Sequence, residues 1–407
     1  MKALEERQNF FYGYVVVTAA VFIMTIVWGT NRTFGVFLKP MLSEFGWSRA
    51  SISGAFTAAM VVMGLASFPA GRITDRFGPR AVVIICGLCL CLGYFFTSRI
   101  TAVWQFYIYY GLMAGIGMSI TTPLMSLVAR WFVKRRALMS SIVTAGPAFG
   151  NMVVPLIFSA VVQSVGWRFS YVIMAGAVLV FIVAAGRFVK RDPAEMGLCP
   201  LGTDVSVAHR SIQEMDGLSM SEALGTNQYW LLSFVFFCDF FLMNVVTVHI
   251  VIYAMDLGIS AIKAASVLSV ASGVCIIARI IIGGIADKIG CKPTLTACLV
   301  LAVMGFALLL VTHSLWTLYL FAAIFGFGLW SSGGLITPMT ADLFGLRSHG
   351  AIYGSIFISG AIGGAFGPVL IGYLFDVTGN YAIPFTVCFG ISIFSLLALV
   401  ALKPLGR

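Results

Sequence analysis

Charge is what this chain has least of. Only 10% of its 407 residues are Asp, Glu, Lys or Arg, with 15 acids and four histidines, whereas a soluble domain carries about 25% charged residues. The sequence holds no HExxH pair, no P-loop and no Ser–His–Asp set. Zinc proteolysis, nucleotide hydrolysis and serine acyl transfer therefore have no residues to run on. No enzyme activity, metal or cofactor is expected. Apolar residues fill the space instead: they make up 60% of the chain, and its mean hydropathy is +1.01. A water-soluble globule would have nowhere to put that surface. Forty-three Gly and 34 Phe suit helices packed closely in lipid, where small residues let backbones approach and rings fill the gaps. The composition is that of an all-α polytopic membrane protein, and nucleic-acid binding is excluded despite a net charge of +10.

Cysteine is present but not in a usable pattern. Cys86, Cys89 and Cys91 lie inside a continuous hydrophobic stretch with no His or Asp beside them, so packing is their expected role and not metal binding. The opening MKALEERQNF has no short apolar core followed by a cleavage site, and no removable leader is expected.

A helix needs roughly 20 apolar residues to cross the hydrocarbon. That rule gives spans near 11–38, 50–72, 79–98, 102–128, 136–162 and 167–187, then 228–254, 261–285, 292–311, 315–341, 350–375 and 380–403. Between the two sets lies a polar stretch carrying Lys190, Arg191, Asp192, Glu195, Arg210, Glu214, Asp216 and Glu222. The expected organisation is an N-terminal six-helix bundle over 1–187, a cytoplasmic linker over 188–225 and a C-terminal six-helix bundle over 226–407. With both termini inside, the outer side holds Arg32, Lys39, Arg49, Arg99, Arg168 and Lys263, and Arg279 sits within a span. The other eighteen of the 25 Lys and Arg fall on the cytoplasmic side, which fixes the orientation by the positive-inside rule.

The halves repeat each other. GRITDRFGPR from Gly71 returns as GGIADKIGCK from Gly283, and GIGMSITTP from Gly115 is echoed by GFGLWSSGGLITP from Gly326. GWRFSYVI at 166 answers GNYAIPFTV at 379. A repeat in the same direction of crossing predicts two pseudo-symmetric bundles with a binding site between them at the bilayer midplane, exposed alternately by rocking.

These loops resemble the signature of the major facilitator superfamily, and the likeness covers essentially the whole chain. Within it, WFVKRRALMSSIVTAGPAFG (Trp131 to Gly150) and the KRDPAEMGLCPLG run resemble bacterial members of the monocarboxylate transporter family, of lactate-transporter type. The family's acidic-Gly motif in span one is here only VWGTNRTFG, around Gly29 and Asn31. Asp75, Arg76, Asp287 and Lys288 of the loop signature sit where acids can meet helix N-termini and neighbouring cations, and they are expected to gate the cytoplasmic side. Asp256, at the outer end of span seven, is a further helix-end or gate candidate.

Arg279 in span eight is the most informative residue. A cation at mid-helix costs about 2.5–3.5 kcal/mol on insertion scales, so its presence points to function. Its planar fork matches a carboxylate in two parallel hydrogen bonds. The resemblance implies the same, since the monocarboxylate family has a substrate-binding Arg in span eight. Many relatives carry an acid one turn before that Arg, and this chain has Cys275 there. Asp239 and His249 in span seven are the candidate proton carriers, with an Asp239–Arg279 ion pair as the alternative for the acid. Ser119, Asn151, Trp330 and Ser331 are candidate substrate contacts, together with Thr121, Thr122, Thr144 and Ser332. Arg32, near the outer mouth, can draw anions inward.

One cation within the spans favours one carboxylate. The oxalate–formate antiporter relatives resemble this chain too, but they carry a second basic residue in span eleven, where this chain has neither Lys nor Arg. The expected activity is proton-coupled symport of a small monocarboxylate, L-lactate or pyruvate in class, by alternating access. Oxalate/formate-type organic anion exchange, or facilitation of another small solute, is the alternative. The expected partners are the carboxylate, H+ and the lipid bilayer. The expected setting is a plasma (inner) membrane, with one chain sufficient for function.

Overall fold

The computed structural model describes residues 11–202, 217–312 and 314–403. The first ten residues, read above for a leader, lie outside that set, as do Arg210, Glu214 and Asp216 of the linker and Arg407. Lys2 and Arg7, used in fixing the orientation, fall among those ten.

Among the described residues, eleven helices are long and apolar enough to cross a membrane. One of them, Arg136–Gly186, runs 51 residues, far beyond one crossing. Gly166 stands inside it at φ 77°, ψ 163°, a conformation glycine adopts without steric cost, and there the chain reverses into a second pass. The described residues therefore form twelve helices that can cross a membrane. In the N-terminal bundle they are α1 (Gly13–Phe45), α2 (Arg49–Phe77), α3 (Pro79–Thr97), α4 (Val103–Trp131), α5 (136–165) and α6 (167–186). In the C-terminal bundle they are α7 (Asn227–Asp256), α8 (Ala261–Ile289), α9 (Cys291–Leu310), α10 (Leu315–Phe327 and Ile336–Phe344), α11 (His349–Thr378) and α12 (Ala382–Ala401). The expected all-α architecture of two six-helix bundles is what forms, with each predicted span recovered. Only α1 runs well past its predicted end, because its last turns carry Lys39 and Glu44 and no longer read as hydrocarbon-spanning.

In lipid, helices gain little from hiding apolar surface and associate through close packing. The repeated glycines show how. A Cβ on Gly115 or Gly117 of α4 would stand 2.8 Å from the Ala59 carbonyl oxygen of α2 or 2.7 Å from that of Cys86 in α3. Their counterparts Gly326 and Gly328 of α10 meet Ala271 of α8 at 2.4 Å and Cys298 of α9 at 2.9 Å. The echo between GIGMSITTP and GFGLWSSGGLITP is thus one packing solution used twice. Both helices then lose regularity just beyond these glycines, at Ser119–Ile120 in α4 and over residues 328–335 in α10.

The bundles meet along two helix pairs, α2 with α11 and α5 with α8. α1 packs on α5 within the first bundle and α7 on α11 within the second. This leaves α1 and α7 free to form two walls of a central cavity.

Candidate functional site

The cavity measures about 470 Å³ and is lined by α1, α2, α4 and α5 of one bundle and α7, α8, α10 and α11 of the other. The lining positions follow the helical period: Met24, Trp28 and Arg32 on α1; Ser272, Cys275 and Arg279 on α8. α3, α6, α9 and α12 contribute nothing to it.

Arg279 lines this cavity and is 9% exposed. Its Nη2 donates to the Trp330 carbonyl at 3.1 Å. That carbonyl is available because α10 unwinds there: Gly328 leaves the helix at φ −80°, ψ −96°, so the backbone beyond it has no helical ladder to satisfy. Cys275 Sγ donates to the same oxygen at 3.3 Å. The arginine is oriented through one nitrogen, while Nε and Nη1 are buried without a partner among the described residues. Unengaged N–H donors on a guanidinium that lines a cavity are what a carboxylate accepts from. Trp330 and Asn151 line the cavity with it.

Other candidates lie elsewhere. Ser119 is buried at the α4 break and donates to its own Ile116 carbonyl at 2.7 Å. Ser331 is buried at the α10 break and donates to the carbonyls of Phe327 and Gly328. Neither lines the cavity, because at each break the hydroxyl closes a local turn. Asp239 is buried on the far side of α7, where its Oδ1 accepts from Ser395 of α12 at 3.4 Å. No Asp239–Arg279 ion pair forms among the described residues. His249 also faces away from the cavity: its Nε2 donates to the Pro368 carbonyl of α11 at 3.0 Å, and its Nδ1 meets the Tyr381 hydroxyl at 3.2 Å.

Arg32, weighed above only as a collector at the mouth, does line the cavity. It lies nineteen residues into α1, and Arg279 eight residues before Asp287. Near the start of α1 Tyr14 meets Arg135, and near the end of α8 Asp287 meets Ala137, so those two ends share a level. At 1.5 Å of rise per residue the two arginine backbones differ in depth by roughly 15 Å. No carboxylate lines the cavity among the described residues.

Below the cavity the bundles are latched. Asp75 at the end of α2 accepts from the backbone N–H of Gly350 at 3.1 Å and of Ala351 at 2.9 Å, the second and third residues of α11. Asp287 at the end of α8 accepts from Ala137 at 2.9 Å and Leu138 at 3.0 Å, the second and third residues of α5. Each acid thus caps the positive end of a helix in the other bundle. Arg130 reaches Asp75 at 3.4 Å, Arg136 reaches Asp342 at 3.4 Å, and Arg191 donates to the Asp75 carbonyl at 2.8 Å. These three cations and Asp342 were assigned no gating role from sequence, because a basic loop residue and a topology marker read alike. Arg76 and Lys288 are exposed and make no bond across the bundles among the described residues; Arg76 lies over the Phe77 ring. Asp256 is exposed at the end of α7.

The Major Facilitator Superfamily profile matches residues 17–368 and again 232–406. The chain is similar to monocarboxylate transporter 13 of Rattus norvegicus, with 27% identity over 92% of this chain and 85% of that one. It is likewise similar to the oxalate:formate antiporter of Oxalobacter formigenes, with 28% identity over 86% and 81%. Among solved structures, a double Trp mutant of XylE superposes with a TM-score of 0.81 at 14% identity, covering 97% of both chains. The human organic anion transporter MFSD10 superposes with 0.74 at 16% identity, covering 95% of this chain and 99% of that one.

Proposed function

This chain belongs to the Major Facilitator Superfamily, a multi-pass secondary transporter and not an enzyme, and from that premise we propose that it carries a small monocarboxylate, L-lactate or pyruvate in class, together with H+. The observation that carries the reading is Arg279: buried, facing the cavity, fixed by the Trp330 carbonyl, with Nε and Nη1 unengaged. Similarity to monocarboxylate transporters over most of the chain supports it.

Arg32 meets the anion first, and Arg279 receives it deeper in. Coupling to the proton works by charge balance and not by contact with the substrate. In the empty carrier Arg279 is offset by ionised Asp239 behind the α7 wall. In the loaded carrier Arg279 is offset by the substrate carboxylate, and Asp239 holds the proton. The charge around Arg279 is then the same in both states as they cross the low-dielectric interior. His249, bonded at both nitrogens between α11 and Tyr381, is the second candidate on the same helix. The latched end is the cytoplasmic one, with both termini on that side of a plasma membrane. Residues 1–187 and 226–407 move as two bodies about the 188–225 linker, and a single chain suffices.

The test is L-lactate uptake into proteoliposomes under an inward proton gradient. Arg279→Gln is expected to abolish gradient-driven accumulation in protein that remains folded, and unchanged flux in that variant overturns the assignment. A second reading, oxalate/formate-type exchange, is favoured by one observation: Arg32 places a second cation on the cavity wall. Uptake that depends on preloaded oxalate and ignores the proton gradient would select it.

A further inference from the structure

The rest of the cavity surface bears on the cargo's body. Besides its two arginines the cavity presents polar side chains, but most of their donors are already engaged. Thr144 donates to Ser141, Thr247 to Met243, Ser272 to Leu268, and the Asn244 amide to Phe240, all backbone carbonyls of their own helices. The Trp28 indole N–H is taken by Thr121 Oγ1 at 3.3 Å. A hydroxyl on the substrate would find few free donors here. Rings are offered instead. Phe236 and Phe240 on α7 lie 4.7 Å apart, and both meet Phe357 of α11, at 5.9 and 5.7 Å. Tyr353 follows one turn away at 6.3 Å. All four line the cavity. At about 470 Å³ the space is in the range of roughly 300–1,000 Å³ that encloses a drug-sized ligand. A three-carbon acid fills only part of a space that reaches from Arg279 to Arg32.

We infer that the preferred cargo is a monocarboxylate with an aromatic or branched apolar body, its carboxylate on Arg279 and its body against the ring cluster of Phe236, Phe240 and Phe357. This rests on the carboxylate reading of Arg279 and narrows the class within it. A ring entering the cluster finds edges and faces to pack against and leaves water as it does so. The short hydroxy acid has only its carboxylate to contribute.

The test is binding of radiolabelled phenylacetate to the detergent-purified full chain by scintillation proximity, with L-lactate and benzyl alcohol as competitors. L-Lactate is expected to compete about 10-fold or more weakly than unlabelled phenylacetate, and benzyl alcohol, which lacks the carboxylate, more weakly still. Phe240→Leu and Phe357→Leu, which keep an apolar side chain in place, are expected to weaken phenylacetate binding by a larger factor than they lower L-lactate uptake into proteoliposomes. L-Lactate competing as well as phenylacetate overturns the inference. So does an absence of phenylacetate binding in protein whose L-lactate uptake depends on Arg279, an outcome that leaves the carboxylate reading standing. Binding and uptake both indifferent to Arg279→Gln overturn the two together.

Discussion

Replacing Asp75 by Asn removes one oxygen and one charge from the end of α2, and the effect on the resting conformation can be worked out. The carboxylate accepts from Gly350 and Ala351 and faces Arg130, and its side chain is only 12% exposed. The amide keeps one acceptor and turns an NH2 toward the other N–H. One charged hydrogen bond is lost, along with the attraction to the α11 terminus, in all about 2–4 kcal/mol. At about 1.4 kcal/mol per tenfold, the ratio of latched to open carriers falls roughly 30- to 700-fold. Spin labels on Val133 and Arg347, exposed loop residues of the two bundles at that end, read this as a distance distribution by double electron–electron resonance. The partly accessible Cys89, Cys91 and Cys199 are replaced first. Asp75→Asn is expected to add a long-distance population, and Asp287→Asn, which disturbs the equivalent cap on α5, to do the same. A distribution identical to that of the unsubstituted chain would refute the argument that these carboxylates hold the end closed.

Three further outcomes are expected. Asp239→Asn should retain substrate binding and exchange but lose gradient-driven accumulation, measured in the same proteoliposomes, whereas Arg279→Gln should lose all three. Gly71→Ala should open the latched end by an overpacking cost of about 1–3 kcal/mol, since the new Cβ would stand 1.9 Å from the Gly350 carbonyl oxygen; Gly176→Ala, with nothing within 4 Å, should leave the distance distribution unchanged. Glu44→Ala should lower thermal stability by about 1–2 kcal/mol, read by thermal shift. Glu44 takes the Trp167 indole N–H at 2.6 Å and pairs with Arg168 at 2.7 Å, although both charged side chains are partly exposed.

The twelve crossings were legible because hydrocarbon thickness imposes a length that apolar runs reveal directly. The turn between α5 and α6 could be placed because Gly166 precedes a polar, aromatic WRFSY. Arg279 stood out for the cost of burying its charge. What could not be read was which way α7 faces. Its FVFFCDFFLMN stretch is aromatic on every side, so no apolar stripe separates the cavity wall from the packing face. Asp239 and His249 turned out to lie behind the wall, while Phe236, Phe240 and Asn244 line it. The latch was half legible. The two acids were placed at helix N-termini, but the partners are backbone N–H groups of Gly350, Ala351, Ala137 and Leu138, which a reading based on side chains does not see. The unwound carbonyl of Trp330 escaped for the same reason.

The seam between the bundles is built of backbone. Had Gly350 a Cβ, it would stand 2.7 Å from the Gly71 carbonyl oxygen; one on Gly354 would stand 2.3 Å from that of Ser67, and one on Gly334 2.6 Å from the Ser141 Cα. At these crossings it is backbone that meets backbone across the seam. The two bodies can part there like smooth plates. Resistance to opening is then concentrated at the rim, in four N–H bonds to two carboxylates and the Arg136–Asp342 ion pair, and a carrier built this way can turn over quickly while remaining shut at rest.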